Sequence, residues 1–242
     1  MGRTFAVSDL HGRLDLYKQI CNFLKPDDKV FFLGDACDRG DDGWELIKEI
    51  LRNEQWVYLK GNHEDMLIKA IEDYLKDDAP RYSSYNLVVM NGGYKTLEDA
   101  FGDSFLREWV NMLKRNLKLW EEYENSQGLT IYLTHAGFTP NYFVDAEGEP
   151  LFIPDEDLLL WDREHFKDKW DEETEKKTIC IHGHTPLPYL ADDLHIKKEE
   201  IEPGALWYCN NHKVCIDNLS AFTGIACLLD LDTFDEHLFE IK

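Results

Sequence analysis

The chain has 242 residues, 43% apolar and 31% charged, with 26 lysines and arginines against 48 aspartates and glutamates and a net charge of −22. A field of that sign repels nucleic acid and anionic membranes at long range, so neither is expected as a partner, and any phosphate site must rely on local positive charge. No apolar run of about 18 residues is present to cross a bilayer, and no signal-peptide pattern opens the chain. The six cysteines contain no CxxC pair, so reduced thiols and a cytoplasmic protein are expected.

Residues 4–8 have a strand pattern that ends in Ser8-Asp9-Leu10-His11-Gly12. Leu14, Tyr17, Ile20, Phe23 and Leu24 then recur at helical spacing until Pro26-Asp27-Asp28 stops them. A second strand over 29–34 runs into Gly34-Asp35-Ala36-Cys37-Asp38-Arg39-Gly40. Two carboxylates and a guanidinium at one strand end are costly to bury unless something binds them, and a divalent metal beside an anionic substrate would satisfy all three. Asp41-Asp42-Gly43 is a candidate cap for a second helix with Trp44, Ile47, Ile50 and Leu51 on its apolar face. A third strand over 56–59 ends in Lys60-Gly61-Asn62-His63-Glu64, before a helix with Met66, Leu67, Ala70, Ile71, Tyr74 and Leu75 inward.

This β-α-β-α-β-α order predicts a mainly parallel sheet covered by helices. Asp9, Asp35 and Asn62 fall 26 and 27 residues apart, one β-α unit each, which puts all three at the carboxyl ends of strands, where open α/β sheets bind ligands. Residues 76–118 break the alternation with a loop at Lys76–Pro80, a turn at Asn91-Gly92-Gly93, and helical patterns near 94–101 and 104–117. We treat this stretch as a helical insertion in one domain spanning 1–242, either a cap over the site or a packing unit. Strands resume at 129–134, ending in His135-Ala136-Gly137, and at 178–181, ending in His182-Gly183-His184-Thr185-Pro186. The charged run 164–177 between them reads as solvated, and 205–209, 213–217, 225–231 and 236–241 read as further strands. The expected architecture is a layered α/β fold with two mixed β-sheets flanked by helices.

Five strand ends thus carry carboxylate, imidazole or amide donors, a set that suits Mn²⁺, Fe²⁺ or Zn²⁺. Asp9-Leu10-His11-Gly12, Gly34-Asp35-Ala36-Cys37-Asp38-Arg39-Gly40 and Gly61-Asn62-His63-Glu64 resemble the three signature motifs of the calcineurin-like metallophosphoesterases, in their phosphoprotein phosphatase branch. His135-Ala136-Gly137, Gly183-His184-Thr185 and Ile216-Asp217 resemble its later motifs, while Asn91-Gly92-Gly93 and Trp161-Asp162-Arg163-Glu164 are similar to bacterial and phage protein phosphatases. The match runs in order from about residue 4 to 230.

The resemblance implies two divalent ions, Mn²⁺ first, with Fe or Zn as alternatives. Asp9, His11 and Asp35 would hold one, and Asp35, Asn62, His135 and His184 the other, with Asp35 shared. It implies direct attack by a metal-activated water without a phosphoenzyme. His63 would be the general acid, Asp38 its orienting partner, and Arg39 and Arg163 the grip on phosphate oxygens. Serine/threonine phosphoprotein is the expected substrate, with a small phosphoester also admitted. The alternative is a nucleotide or dinucleoside polyphosphate hydrolase; symmetrical enzymes of that kind often lose the acid at the Asp38 position and carry Asp at the Glu64 position. Retention of His63, Arg39 and Arg163 argues against an inactive metal-binding scaffold.

Some residues keep two readings. His182 could replace His184 as ligand, though the place of His184 after Gly183 fits the family pattern. Cys37 could be a redox-sensitive thiol or filler beneath its loop. Tyr82, Tyr85, Trp109 and Trp120 could line a substrate groove, but core packing is the default. Cys209, His212 and Cys215 fit no common zinc spacing and are taken as structural. Asn218-Leu219 departs from the family's Thr-Gly.

Overall fold

The computed structural model describes residues 2–77, 82–139, 155–167, 169, 170 and 172–241. Three β-α units come first: β1 (Thr4–Val7), α1 (Leu14–Phe23), β2 (Lys29–Phe32), α2 (Gly43–Arg52), β3 (Trp56–Tyr58) and α3 (Asn62–Asp77). Three more helices follow, α4 (Tyr82–Met90), α5 (Tyr94–Gly102) and α6 (Leu106–Asn116). Then come β4 (Trp120–Glu124), β5 (Thr130–Thr134), α7 (Glu156–Trp161), α8 (Glu172–Lys177), β6 (Thr178–His182) and α9 (Leu187–Asp193). The chain closes with β7 (Leu206–Tyr208), β8 (Lys213–Cys215), α10 (Ser220–Thr223), β9 (Ile225–Asp230) and β10 (Glu236–Glu240).

Two five-stranded mixed sheets result, ordered β10-β9-β1-β2-β3 and β4-β5-β6-β8-β7. β1, β2 and β3 are parallel, as are β5, β6 and β8, while the outer strands run antiparallel. Strand alternation sorts the apolar side chains into layers. Phe5, Val7, Val30 and Phe32 face the helices, whereas Ala6, Phe31 and Leu33 meet Ile131, Leu133, Ile179, Ile181 and Val214 between the sheets. On the far face of the second sheet, Leu187 and Leu190 of α9 pack on Tyr208 and Cys215. The carboxyl ends of β1 and β2 meet those of β5 and β6, where His135 Nδ1 lies 2.7 Å from Leu33 O and His184 N–H reaches the Asp9 carboxylate.

The insertion is continuous with the first core. Val88, Leu97, Ala100, Leu106, Val110 and Leu113 join the cluster under α1 and α2. Its Asn91-Gly92-Gly93 turn also supports the loop after β2: Arg39 N–H donates to Gly92 O at 2.9 Å, and Asp38 N–H to Thr96 Oγ1 at 3.1 Å. Tyr85 and Trp109 pack against the same core, and the Arg52 guanidinium lies 4.7 Å over Trp109. Trp120 is a half-buried edge-strand residue against Tyr132, and the side chain of Tyr82 falls outside the described residues. Asp42 stands at the N-cap of α2, but with φ −102° and ψ 25° it lies outside the extended region that aims a capping side chain, and it makes no cap bond. All six cysteines are free thiols. Cys209 Sγ donates to Phe166 O and Cys215 Sγ to Thr185 O, while the His212 ring lies tilted against Trp170, so these three share no centre. No helix among the described residues is long and apolar enough to cross a membrane.

Candidate metal centre

The strand ends are stitched together by backbone before any side chain acts. Asp9 N–H donates to Gly34 O, His11 N–H to Asp35 O, and Gly183 N–H to His135 O, at 2.9–3.0 Å. The loops turn sharply here: Asp9, His11, Asp35, Asp38, Arg39 and His184 all have φ between 42° and 69°. Gly183 is needed because a Cβ there would collide with the Asp9 carboxylate.

Asp35 lies between two groups of donors, one with His11 and His63, the other with His135 and His184. Its Oδ1 is 3.5 Å from His135 Nε2 and accepts from His63 N–H at 3.1 Å. Its Oδ2 is 3.6 Å from His11 Nε2 and 3.8 Å from His63 Nε2. Asp9 Oδ1 lies 3.9 Å from His11 Nε2, and both Asp9 oxygens accept from His184 N–H. Asn62 Oδ1 sits 2.9 Å from His135 Nε2 and 3.0 Å from His184 Nδ1. His182 turns away from this group, its Nε2 2.6 Å from the Tyr208 hydroxyl.

The donor chemistry fits divalent cations. His135 Nδ1 lies 2.7 Å from Leu33 O, so it carries the ring's proton, and Nε2 offers a bare lone pair. Burial pushes the His135 pKa down to about 3, so the ring is neutral at pH 7. Its lone pair thus faces the amide oxygen of Asn62, acceptor against acceptor. Two acceptors this close would be held together by a cation between them. His11 repeats the arrangement, with Nδ1 donating to Cys37 O at 2.7 Å, which leaves Nε2 as an acceptor. Burial, then Asp217, raises the Asp9 carboxyl well above its ordinary range, and burial, then Asp9 and Glu64, does the same for Asp35. Divalent cations held here would reverse that cost. Asp38 Oδ1 and His184 Nε2 are also buried without a hydrogen-bond partner.

The expected catalytic side chains surround the same point. His63 Nδ1–H donates to Asp38 Oδ2 at 2.7 Å, turning Nε2 toward the donor groups. Arg39 donates through Nη1 to His11 Nε2 at 2.7 Å and through Nη2 to His63 Nε2 at 3.1 Å. Arg163 reaches the opposite rim, where Nη2 donates to His184 O at 3.5 Å.

Glu64 has a structural role that its sequence position concealed. Its fully buried carboxylate accepts from the N–H groups of Asp35, Ala36 and Gly61 and from the Tyr58 hydroxyl, at 2.8–2.9 Å. It locks the loops after β2 and β3 together. Cys37 Sγ lies 3.8 Å from Glu64 Oε1 and is fully buried, and burial raises its thiol pKa strongly, so it fills space there. Thr96 is a second such support; a threonine inside a helical pattern gives no signal that it holds a loop 58 positions earlier.

Asp217 permits a test of this electrostatic picture. Burial pushes its carboxyl up to about 6. The folded state therefore keeps a proton that the unfolded chain, with a pKa of about 3.9, has released. That contribution to stability is complete below about pH 4 and lost as pH rises through 6. Asp217→Asn keeps an oxygen for Leu219 N–H and removes the titration. In metal-stripped protein the variant should gain on wild type in urea denaturation between about pH 4 and 6.5, by roughly 1–3 kcal/mol. A pH-independent difference would refute the assignment.

The calcineurin-like phosphoesterase family profile matches residues 2–217. No curated protein matches the sequence. Among solved structures, a putative diadenosine tetraphosphatase superposes with TM-score 0.62 at 15% identity, covering 98% of this chain and 93% of its own. A Saccharomyces cerevisiae protein serine/threonine phosphatase with similarity to human phosphatase PP5 gives 0.58 at 12% identity, covering 100% and 80%. The cold-active protein-tyrosine phosphatase of a Shewanella species gives 0.56 at 15% identity, covering 99% and 81%. At these identities the likeness is one of fold.

Proposed function

The chain belongs to the calcineurin-like phosphoesterases, metal-dependent hydrolases of phosphoesters, and on that premise we propose that it removes phosphate from phosphoserine or phosphothreonine in proteins, with two Mn²⁺ ions. The observation that carries this reading is the buried Asp38–His63 pair beside Arg39. A serine or threonine alkoxide is a poor leaving group and needs a proton as it departs. A nucleotide leaves from a polyphosphate as a stable anion and needs none. An acid held this firmly suits the first.

In this reading Asp9, His11 and Asp35 would hold one ion, and Asp35, Asn62, His135 and His184 the other. When bound, the ions supply charge neutralisation at the phosphoryl group and a nucleophilic water near neutral pH. Once Arg39 has moved onto the phosphate, His63 Nε2 can take up a proton from solvent and pass it to the leaving oxygen, while Asp38 holds the ring at that angle. Arg39 exchanges its two imidazole acceptors for phosphate oxygens, which are charged and match its fork. Arg163 grips from the other rim. The free thiols suit a reducing compartment, and we take the cytoplasm as the place of action.

Chelator-treated protein is expected to be inactive and to recover with Mn²⁺. The restored enzyme should then turn over phosphoseryl and phosphothreonyl peptides with a kcat/KM at least about tenfold above that for diadenosine tetraphosphate, a preference of roughly 1.4 kcal/mol. The reverse order would establish the nucleotide reading. Full activity in excess chelator would remove metal chemistry from the account.

A further inference from the structure

Behind the metal centre lies a buried polar cluster that the phosphate chemistry does not use. His165 follows Arg163 by two residues, His182 precedes His184 by two, Tyr208 ends β7, and Lys213 opens β8. All four are buried, His182 and Lys213 completely. His182 Nδ1 donates to Gly183 O at 2.9 Å, which leaves Nε2 as an acceptor. The Tyr208 hydroxyl donates to that Nε2 at 2.6 Å, and its oxygen accepts from His165 Nε2–H at 2.9 Å. His165 Nε2 also lies 3.4 Å from His182 Nε2, a longer contact than either one to Tyr208, so the main line of donation runs from His165 through Tyr208 to His182.

The cluster touches three parts of the candidate site. His182 lies on the strand that delivers His184. The His165 ring packs on Gly137, where a Cβ would collide with it, and Gly137 belongs to the loop that carries His135. The backbone of His165 closes the Arg163 loop: its N–H donates to Asp162 Oδ2 at 2.8 Å, Glu164 N–H donates to Asp162 Oδ1 at 2.9 Å, and the Lys213 ammonium donates to His165 O. Arg163 itself is held loosely. Among the described residues its guanidinium makes one hydrogen bond, the 3.5 Å contact to His184 O. Its place over the site is therefore set by its loop.

We propose that His165 and Tyr208 are positioning residues, whose hydrogen-bond relay to His182 sets the Arg163 guanidinium against the ends of β5 and β6 and so tunes affinity for the phosphate group. The relay rests on the reading of Arg163 as a phosphate grip. The test uses Mn²⁺-loaded protein, with inhibition by inorganic phosphate, KM and kcat on an aryl phosphate, and metal content measured together. Tyr208→Phe should raise the inhibition constant for phosphate and KM about five- to tenfold, with metal content unchanged and kcat within about twofold. His165→Gln, which keeps a donor at similar reach, should stay near wild type, and His165→Leu should reproduce Tyr208→Phe. In an Arg163→Ala background Tyr208→Phe should add nothing further.

An equal penalty from Tyr208→Phe with and without Arg163 would show a merely structural role and overturn the relay. If Arg163→Ala weakens phosphate but neither Tyr208→Phe nor His165→Leu does, the grip stands and the relay falls. If Arg163→Ala leaves phosphate inhibition unchanged, both fall. Should Tyr208→Phe fail to fold, the contrast between His165→Gln and His165→Leu decides.

Discussion

Asp35→Ala is expected to lower kcat/KM by at least about three orders of magnitude, close to 4 kcal/mol of transition-state stabilisation, and to bring the metal content below one ion per chain. The size of the effect follows from position. One buried carboxylate places Oδ1 3.5 Å from His135 Nε2 and Oδ2 3.6 Å from His11 Nε2, so both donor groups lose a member at once. The same carboxylate also takes His63 N–H at 3.1 Å, so the start of α3 loses its anchor. Thermal unfolding of metal-stripped protein separates this loss from a folding defect. Burial and the Asp9 and Glu64 charges raise the Asp35 pKa well above its ordinary range, so at pH 8 the metal-stripped variant should unfold at a higher temperature than metal-stripped wild type. Normal turnover by Asp35→Ala would end the two-metal reading.

His63→Asn should lower kcat about 10²- to 10⁴-fold on alkyl phosphates but only a few fold on p-nitrophenyl phosphate, whose leaving group needs little protonation. Metal content decides between two roles for this side chain. His63 Nε2 lies 3.8 Å from Asp35 Oδ2, within the same donor group as His11, so geometry alone also admits a ligand. An acid mutant keeps two ions per chain; loss of one would make His63 a ligand. Equal losses on alkyl and aryl substrates would remove it as the acid.

The sequence showed the first three β-α units because each strand is a short apolar run closed by a polar cluster at a constant interval. It did not show α4, whose Leu87-Val88-Val89-Met90 run has no helical stripe, or β4, whose glutamates disguise an edge strand. The short helix α9, entered through Pro186, was hidden behind the Gly183-His184-Thr185 motif. The candidate ligands were legible because metal donors are chemically distinctive side chains at strand ends. Their supports were not. Glu64 resembles an acid in a helix's first turn, and only the folded chain brings three amides and a phenol to it. His165 and Tyr208 are 43 residues apart and share no period. Support of this kind is a property of the loops' closeness in space, which no spacing rule encodes.

Six of the residues gathered at the strand ends hold a left-handed backbone that glycine adopts freely and they do not. At about 1 kcal/mol each, that is roughly 6 kcal/mol, comparable to the whole net stability of many domains. Glycine at any of them would relax the turn and remove a side chain of the candidate site in one step. The candidate site is therefore also where the fold stores its backbone strain, and stability and donor chemistry pull in opposite directions at those six positions.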